Sequence, residues 1–350
     1  MGRARKVLIV KTSSMGDVVH ALPALSDMRR LVPGIMVDWL VEAPFAAIPA
    51  LHPGVRRVLP LAWRKWRRRL LDRSTWSAIV DLRRELRSER YDLVLDLQGL
   101  LKSALWGAQA RGPMVGYDWR SAWEPLATLL YRRTAAVEPR MQAVERCRRL
   151  AAAHLGYVLP ATAPDFGIHA AKPQWEWVPS EHYAALIPCA SRPEKLWPED
   201  RWIEVGRRLL REGERPVVLW GSDAERQMAE RIARGCEGIV PPFLAVKDCA
   251  GVLGRAERIV GLDTGLSHLG AALGRPTVGI YCDHDPGMAG ITGSGPVASI
   301  GGRGVVPSLA DVLGLIDRVA AGAASLHSGD SGDSATDARD RQSSSIRTGG

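Results

Sequence analysis

The sequence predicts an α/β protein of two Rossmann-like, doubly wound domains that face each other across a cleft. Three observations support this prediction. Short apolar runs of strand length alternate with longer amphipathic runs of helix length in both halves of the chain. Polar loops follow the apolar runs, at the strand ends where parallel sheets bind ligands. With 350 residues, of which 46% are hydrophobic, the chain can bury two medium-sized cores.

The first strand–loop–helix unit begins with KVLIVK at residues 6–11. The polar loop TSSMGD follows, and the spacing of apolar residues predicts a helix from Val18 to about Leu31. The loop does not match G-x-G-x-x-G, so it does not indicate a dinucleotide. Asp17 falls in the first helical turn, where the helix dipole stabilises an anion. It is either a helix-start residue or a carboxylate that can act as a general base.

The remaining elements of the first half follow the same alternation. Strands are predicted at 37–41, 55–59 and 92–97, and helices at 43–50, 101–110 and 141–155. A proline-rich stretch from 160 to 179 is weakly patterned, so the first domain is predicted to cover residues 1–170.

The most basic segment of the chain, AWRKWRRRLLDR, covers residues 62–73. Trp63, Trp66 and Leu70 recur at helical spacing, which predicts a helix with one apolar side and an otherwise cationic surface. Such a helix can seat tryptophan in lipid headgroups and arginine on phosphates. A tryptophan stripe that faces the core, with an ordinary basic exterior, fits the pattern equally well. The net charge of +9 also indicates an anionic partner, either nucleic acid or an acidic membrane surface.

The second domain is predicted to cover residues 171–321. Its strands are expected at 184–189, 217–220, 259–262 and 277–281, and its helices at 198–212, 224–234, 248–255, 266–273 and 311–321. From 322 to 350 the chain is rich in Ser, Gly, Asp and Arg and has few apolar residues, so this tail is predicted to be disordered.

A strand–turn–helix–strand unit at residues 259–281, IVGLDTGLSHLGAALGRPTVGIY, organises the second domain. Thr264, Gly265 and Ser267 place N–H groups and hydroxyls at a helix N-terminus, where phosphate binds readily. Asp263 would repel phosphate, so we expect it to accept hydrogen bonds from sugar hydroxyls. The alternative is that Asp263 and Thr264 only cap the helix. His268 lies one turn into this helix and could reach a ligand.

Composition limits the remaining possibilities. The five cysteines are scattered without a C-x-x-C pair, which argues against a zinc site or a disulfide scaffold and suits a reducing cytoplasm. No apolar run has the length of a membrane span, and the N-terminal run is too short for a signal peptide. We therefore expect a soluble or peripheral protein.

Two stretches resemble the signatures of the bacterial ADP-heptose:lipopolysaccharide heptosyltransferases. They are KVLIVKTSSMGDVVHALPAL at 6–25 and VGLDTGLSHLGAALGRP at 260–276. YDLVLDLQGLLKSA, YDWRSAWEPLA and ASRPEKLWPEDRW are also similar to the family, so the resemblance spans roughly residues 6–320. The chain is most similar to the branch that adds the first heptose to the inner core. Heptosyltransferase II or another GT-B sugar-nucleotide transferase is the alternative.

The resemblance implies a GT-B fold and an inverting, metal-independent transfer from ADP-heptose to a Kdo residue of Kdo-lipid A. By position it implies that Asp17 is the catalytic carboxylate and that Lys195 lies near the donor diphosphate. With the polar residues at the predicted strand ends, the expected donor-binding residues are Ser191, Glu225, Asp263, Thr264, Gly265 and His268. The expected acceptor-binding residues are Ser13, Ser14, Arg64, Arg67, Arg68 and Arg120. The family often has a basic residue where this chain has Trp123.

The chemistry of the transfer assigns roles to the expected base and to the groups near the donor diphosphate. Asp17 would take the proton of the acceptor hydroxyl, and Lys195 with the amides near Thr264 would stabilise the charge of the departing ADP. We expect no cofactor and no metal. The protein would work at the cytoplasmic face of the inner membrane, in peripheral contact with its anionic surface, without binding nucleic acid. The rival hypotheses are another sugar-nucleotide enzyme, such as a nucleotide-sugar epimerase, and a non-catalytic basic binding protein.

Overall fold

The computed structural model describes residues 5–170, 175–179 and 182–329. The first half contains β1 (Lys6–Val10), α1 (Met15–His20), α2 (Leu22–Leu31), β2 (Met36–Glu42), α3 (Ala47–Ala50), β3 (Val55–Leu61), α4 (Trp63–Trp66), α5 (Arg73–Leu86), β4 (Leu93–Asp96), α6 (Leu101–Gly107), β5 (Met114–Tyr117), β6 (Arg133–Ala135) and α7 (Ala143–Leu155). The six strands pair in the order β3-β2-β1-β4-β5-β6. Every pair in this sheet is parallel.

The second half forms a separate parallel sheet. Its elements are β7 (Tyr183–Ile187), α8 (Glu199–Arg211), β8 (Arg215–Val218), α9 (Asp223–Cys236), α10 (Val246–Leu253), β9 (Arg258–Leu262), α11 (Gly265–Ala272), β10 (Thr277–Tyr281), α12 (Pro286–Ala289), β11 (Val297–Gly301) and α13 (Leu309–Gly329). The strands pair in the order β11-β10-β9-β7-β8, all parallel. The prediction of an α/β protein with two parallel sheets is confirmed.

Each sheet has a point where the strand order reverses direction, and ligands bind at such points in parallel sheets. In the first sheet β1 and β4 are neighbours there, and in the second β7 and β9. The loops after β1, β7 and β9, with the starts of the helices that follow, carry the predicted catalytic residues Asp17 and Lys195 and most of the predicted donor-binding residues. The topology therefore brings both loop sets to the carboxyl ends of the central strands.

The predicted helix from Val18 to Leu31 is in fact two helices. Helix α1 ends at His20 and α2 begins at Leu22, with Ala21 between them. Pro23 lies in the first turn of α2, and a proline has no N–H to continue the hydrogen bonds of the preceding helix. The break leaves α1 as a short element whose direction is set independently of α2.

The predicted continuous helix at 62–73 is wrong. Helix α4 ends at Trp66, a turn follows, and α5 begins only at Arg73. Trp66 is buried in the core, and the ring centroids of Trp63 and Trp66 lie 6.0 Å and 5.5 Å from that of Trp106. Trp66 therefore faces the core, as the alternative interpretation of the stripe proposed, and Trp63 packs against the same ring while it stays partly exposed.

Other differences lie at short or weakly patterned elements. Strands β5, β6 and β11 and helices α5 and α12 were not predicted; two of these strands have only four and three residues. Helix α13 continues to Gly329, so residues 322–329 are helical and the prediction that they are disordered is wrong. Alanine, serine and leucine at 323–326 are compatible with a helix. The rest of the predicted tail and residues 171–174, at the predicted domain boundary, lie outside the described ranges.

A buried ion pair ties α2 to α7. Arg148 Nε donates a hydrogen bond of 2.7 Å to Asp27 Oδ2, and both side chains are almost fully buried. The same guanidinium also reaches the carbonyl oxygens of Pro160 and Thr162, in the segment that leaves α7. The pair therefore fixes the path of the chain between the two halves.

Asp27→Ala should lower the free energy of unfolding by about 3–5 kcal/mol, because it leaves the Arg148 guanidinium buried without its closest partner. Asp27→Leu combined with Arg148→Met should recover most of this loss, because apolar side chains of similar volume replace both charges. Urea unfolding measures both effects. The control is Arg84→Ala at the exposed Asp81–Arg84 pair, where the change should stay below about 1 kcal/mol. An Asp27→Ala variant as stable as this control would contradict the account.

Candidate active site

The two halves meet where α1 packs against α11. Two glycines allow this close approach. A Cβ on Gly265 would lie 2.4 Å from Met15 Cβ, and a Cβ on Gly16 would lie 3.2 Å from His268 Cδ2. The N-terminus of α11 therefore lies directly beside the N-terminal loop of α1, and the cleft between the halves opens around this contact.

Two adjoining cavities occupy the cleft. The first has a volume of about 380 Å³, and the second about 480 Å³. Both are lined by Ser14, Gly16, Arg192, Lys195, Asp263, Thr264 and Gly265. The first cavity also includes Lys11, Asp17, His20, Tyr117, Trp123, Arg146, His268 and His284. The second also includes Arg64, Ser191, Trp220 and Glu225. Most of the predicted site residues thus share one cleft.

Asp17 presents a half-exposed carboxylate to the first cavity. Its Oδ2 accepts hydrogen bonds from Ser14 N at 2.8 Å and Ser14 Oγ at 2.7 Å, and its Oδ1 lies 3.7 Å from Lys11 Nζ. Burial alone would raise the pKa of Asp17, but the Lys11 ammonium and the Ser14 bonds outweigh it and lower the pKa. Asp17 is therefore both a helix-start residue and an ionised carboxylate at the cleft.

The loop that precedes α1 is held by Gln98, which follows β4, and by Lys102 of α6. Gln98 Oε1 accepts hydrogen bonds from Thr12 N at 2.6 Å and Thr12 Oγ1 at 2.8 Å. Lys102 Nζ donates to Ser13 Oγ at 2.8 Å, and Ser13 is buried. Ser13 therefore supports the loop, whereas its neighbour Ser14 reaches both cavities.

A chain of four polar side chains crosses the cleft. Lys195 Nζ donates to Asp263 Oδ2 at 2.6 Å, and Asp263 Oδ1 lies 3.4 Å from His268 Nε2. His268 Nδ1 lies 3.1 Å from His20 Nε2 in the other half of the protein. Burial, followed by the neighbouring His268, lowers the pKa of His20 to about 3, so this imidazole is neutral at physiological pH.

Asp263 is charged in this arrangement. Its burial would raise the pKa, but the hydrogen bonds from His268 and Lys195 lower it well below the usual range. Asp263 makes side-chain bonds to these two residues, and the Thr264 side chain makes no capping hydrogen bond to α11. The interpretation of both residues as simple helix caps is therefore wrong. The Ser267 hydroxyl was predicted to lie at the phosphate-binding helix N-terminus. Instead it is buried, and its Oγ donates a hydrogen bond of 2.7 Å to Leu262 O.

The remaining donor-side predictions lie in the second cavity. Ser191 is exposed on the loop after β7 and lines this cavity. Glu225 also lines it, and its Oε2 accepts a hydrogen bond of 2.8 Å from Gly221 N. The carboxylate of Glu225 therefore fixes the loop between β8 and α9 as well as facing the cavity.

The structure separates the predicted acceptor-side residues. Arg64 lines the second cavity, and it also lines a neighbouring basic pocket of about 660 Å³ with Arg67, Arg68 and Lys102. Arg120 is exposed and lines neither cavity nor the basic pocket. The structure does not bring this predicted residue to the cleft.

Arg146 of α7 lines the first cavity and was missed by the sequence analysis. Its guanidinium carbon lies 4.4 Å from the Trp123 ring centroid and 4.8 Å from that of Tyr117. Arg146 NH2 also donates to Ser121 O at 2.7 Å. The signal was available, because Arg146 shares a helix face with the buried Leu150. An arginine held against two aromatic rings is well placed to bind a carboxylate.

The described part of the chain contains no cluster of metal ligands and no helix that could cross a membrane. Across residues 5–170, 175–179 and 182–329, no three His, Cys, Asp or Glu side chains are grouped so that they could hold a metal ion. In the same part of the chain, every helix is too short or too polar to span a membrane.

Comparison with known proteins identifies the family. The model of glycosyltransferase family 9 (heptosyltransferase) matches residues 79–300. Lipopolysaccharide heptosyltransferase 1 of Escherichia coli K12 is 43% identical over 289 residues, which are 81% of this chain and 90% of that protein. The solved structure of E. coli heptosyltransferase WaaC with ADP has a TM-score of 0.82 and 38% identity, covering 90% of this chain and 99% of that chain. The structure of WaaC with ADP-2-deoxy-2-fluoro heptose has a TM-score of 0.77 and 37% identity, and the match covers 93% of this chain and 99% of that chain.

The chain therefore belongs to glycosyltransferase family 9, the heptosyltransferases, and has their GT-B fold. It is a glycosyltransferase, and heptose transfer in lipopolysaccharide inner-core synthesis is the activity that its relatives support. The resemblance found in the sequence is thus confirmed at the level of family, fold and reaction class.

Gly265→Ala should reduce stability by about 1–3 kcal/mol, because the added Cβ would overlap Met15 and force α1 away from α11. The same shift should lower kcat/KM for glycosyl transfer. Thermal unfolding and steady-state kinetics measure the two effects. The control is Gly314→Ala in α13, where a Cβ would meet only Arg318 NH1 at 3.7 Å. If both variants behave like the wild type, the close contact does not matter.

Proposed function

We propose that this enzyme transfers heptose from ADP-heptose to a Kdo residue of Kdo-lipid A, with inversion at the anomeric carbon and with Asp17 as the general base. One observation carries the proposal. Asp17 shares the first cavity with Lys195, Asp263 and the N-terminus of α11, so a base and a site for a leaving diphosphate line the same space. The ADP and the fluorinated ADP-heptose in the WaaC structures support the identity of the donor.

The leaving ADP needs positive charge but no proton. Lys195 and Arg192 line both cavities, and the first-turn amides of α11 point to the same region. These groups would stabilise the negative charge that develops on the diphosphate as the glycosidic bond breaks. A single carboxylate then suffices, in contrast to most glycoside hydrolases, which use two.

Asp263 would hold the heptose ring. It is ionised and already bonded to Lys195 and His268, so it keeps the capacity to accept hydrogen bonds from sugar hydroxyls. The neutral His20 behind His268 would fix the orientation of that imidazole without adding charge. Ser191 and Glu225 in the second cavity would contact the nucleoside end of the donor.

The acceptor would enter from the basic pocket. Arg64, Arg67 and Arg68 line it, and Arg64 connects it to the second cavity. Kdo and lipid A are anionic, so this field would steer the acceptor toward the cleft. Arg146, held against Trp123, would bind a carboxylate beside Asp17. The enzyme would act as a peripheral protein at the cytoplasmic face of the inner membrane.

The acceptor separates this proposal from the sister heptosyltransferase II reaction. Purified enzyme with ADP-heptose should modify Kdo-lipid A and should not extend an acceptor that already carries the first heptose. Mass spectrometry of the two products decides between them, and transfer only to the heptosylated acceptor would favour the sister activity.

Asp17→Asn should fold and bind ADP-heptose normally but lose transfer by about 10²–10⁴-fold, the range expected for a general base. Because the pKa of Asp17 is lowered, the wild-type kcat/KM should show no loss from this group between about pH 5 and pH 8. Lys11→Met removes a positive charge that lowers the pKa of Asp17, so the pKa should rise. As the pH is lowered, the variant should therefore lose activity at a higher pH than the wild type does. Pre-steady-state kinetics and pH profiles test this. An Asp17→Asn variant with lower stability and full turnover per folded molecule would reduce Asp17 to a helix-start residue.

Lys195→Ala and Asp263→Ala should affect the donor differently. Loss of the Lys195 side chain should weaken the binding of both ADP and ADP-heptose, because its proposed partner is the diphosphate that the two ligands share. Loss of Asp263 should weaken ADP-heptose more than ADP, because its proposed partner is a heptose hydroxyl. Isothermal titration calorimetry with ADP, ADP-heptose, and UDP- and GDP-sugars as controls measures this. If Asp263→Ala lowered the affinity for ADP and for ADP-heptose by the same factor, the proposed contact between Asp263 and the sugar would be excluded.

A further inference from the structure

Three large apolar side chains lie exposed on the turn after α4 and the first turns of α5. Leu71 is fully exposed, Trp76 is 54% exposed and Leu70 is 43% exposed. We call these three residues the apolar crest. The sequence pattern placed Leu70 in one apolar stripe with Trp63 and Trp66 and singled out neither Leu71 nor Trp76. Exposed apolar side chains gathered on one segment mark a surface that contacts a partner.

The apolar crest is an ordered feature. Trp76 Nε1 donates to Leu70 O at 2.7 Å, which ties the turn to α5. Asp72 caps α5 by accepting a hydrogen bond from Ser74 N at 2.9 Å. The polar atom of the Trp76 indole is therefore satisfied within the protein while its rings face outward. The exposed part of Trp76 is therefore aromatic carbon, which can leave water without stranding a hydrogen-bond donor.

The surroundings of the apolar crest are cationic. Arg67, Arg68 and Arg69, which directly precede it in the chain, line the basic pocket together with Lys65 and Lys102. Each residue that lines this pocket is basic, apart from Trp63. Asp72 is the single acid of the segment 62–73, and it is engaged in the cap of α5. A patch of apolar side chains with a rim of arginines complements an anionic lipid surface.

An apolar slot adjoins the basic pocket. Its volume is about 300 Å³, and it shares Trp63 and Lys102 with the basic pocket. The rest of its lining is mostly apolar or aromatic and includes Ile79, Leu105 and Trp106. A basic pocket beside an apolar slot complements the phosphate and the acyl chain that a phospholipid presents together. This juxtaposition favours lipid over a protein or a nucleic acid as the partner.

We propose that the apolar crest inserts into the headgroup layer of an anionic phospholipid bilayer while Arg67, Arg68 and Arg69 contact its phosphates. Arg64 lines both the basic pocket and the second cavity, so insertion would hold the entrance of the cleft against the lipid surface. The inference rests on the proposed function for its purpose, because an acceptor anchored in the bilayer could then reach the cleft without leaving it. The crest itself binds phospholipid, independently of the acceptor.

The test is co-sedimentation with vesicles of phosphatidylglycerol and phosphatidylethanolamine that contain no lipid A. Leu70→Ser combined with Leu71→Ser should weaken vesicle binding at least about tenfold, because two apolar side chains no longer leave water. The matched control is Val305→Ser combined with Val306→Ser, an adjacent and exposed apolar pair in the other domain, and it should bind like the wild type. Arg67, Arg68 and Arg69 changed to serine should remove the salt-dependent part of the binding.

Insertion itself is tested with an environment-sensitive dye on Leu71→Cys, since the five native cysteines are buried. Its emission should shift to the blue on these vesicles, and the same dye on Val306→Cys should not respond. An unchanged affinity of the double leucine variant, or no shift at position 71, would overturn the proposal. Transfer of heptose to a deacylated, water-soluble Kdo acceptor should be the same in the leucine variant and the wild type. Absence of that transfer in the wild type would instead refute the proposed function, whatever the vesicles show.

Discussion

The contact between α1 and α11 is the constraint on which the rest of the site depends. Both helices follow central strands of parallel sheets, β1 and β9, so their N-termini lie at the ends where ligands bind. Gly16 and Gly265 let them approach until His20 and His268 share a hydrogen bond across the two halves. This approach places Asp17 within the same cavity as the N-terminus of α11. A bulkier residue at either glycine would separate the proposed base from the proposed donor site.

Within that cavity, two carboxylates are kept ionised by different neighbours. Lys11 and Ser14 lower the pKa of Asp17, whereas His268 and Lys195 lower that of Asp263. Asp17 keeps a half-exposed carboxylate that can take a proton, while Asp263 is held in bonds on both oxygens. Under the proposed function, the same residue type would therefore serve two purposes, one chemical and one for binding, because the surroundings differ.

Much of this arrangement could be predicted from the sequence, because it depends on local pattern. The buried strands, the loops after them and the turn at Asp263 follow from apolar runs and helix-start residues. What failed depends on tertiary contacts. Whether Trp66 faces lipid or the core is decided by Trp106, forty residues away, and not by helical spacing. The helical pattern places Arg146 on the face of α7 that carries Leu150, but its position against Trp123 and Tyr117 depends on contacts that no spacing rule predicts.

The central claim is that one cleft holds the base, the donor and the acceptor for heptosyl transfer. It is tested most directly by incubating the purified enzyme with ADP-heptose and Kdo-lipid A, and by determining the mass and anomeric configuration of the product by mass spectrometry and NMR. The account predicts one added heptose on Kdo with the configuration inverted relative to the donor, and no such product with the Asp17→Asn enzyme. Retention of configuration, or equal product from the Asp17→Asn enzyme, would contradict it.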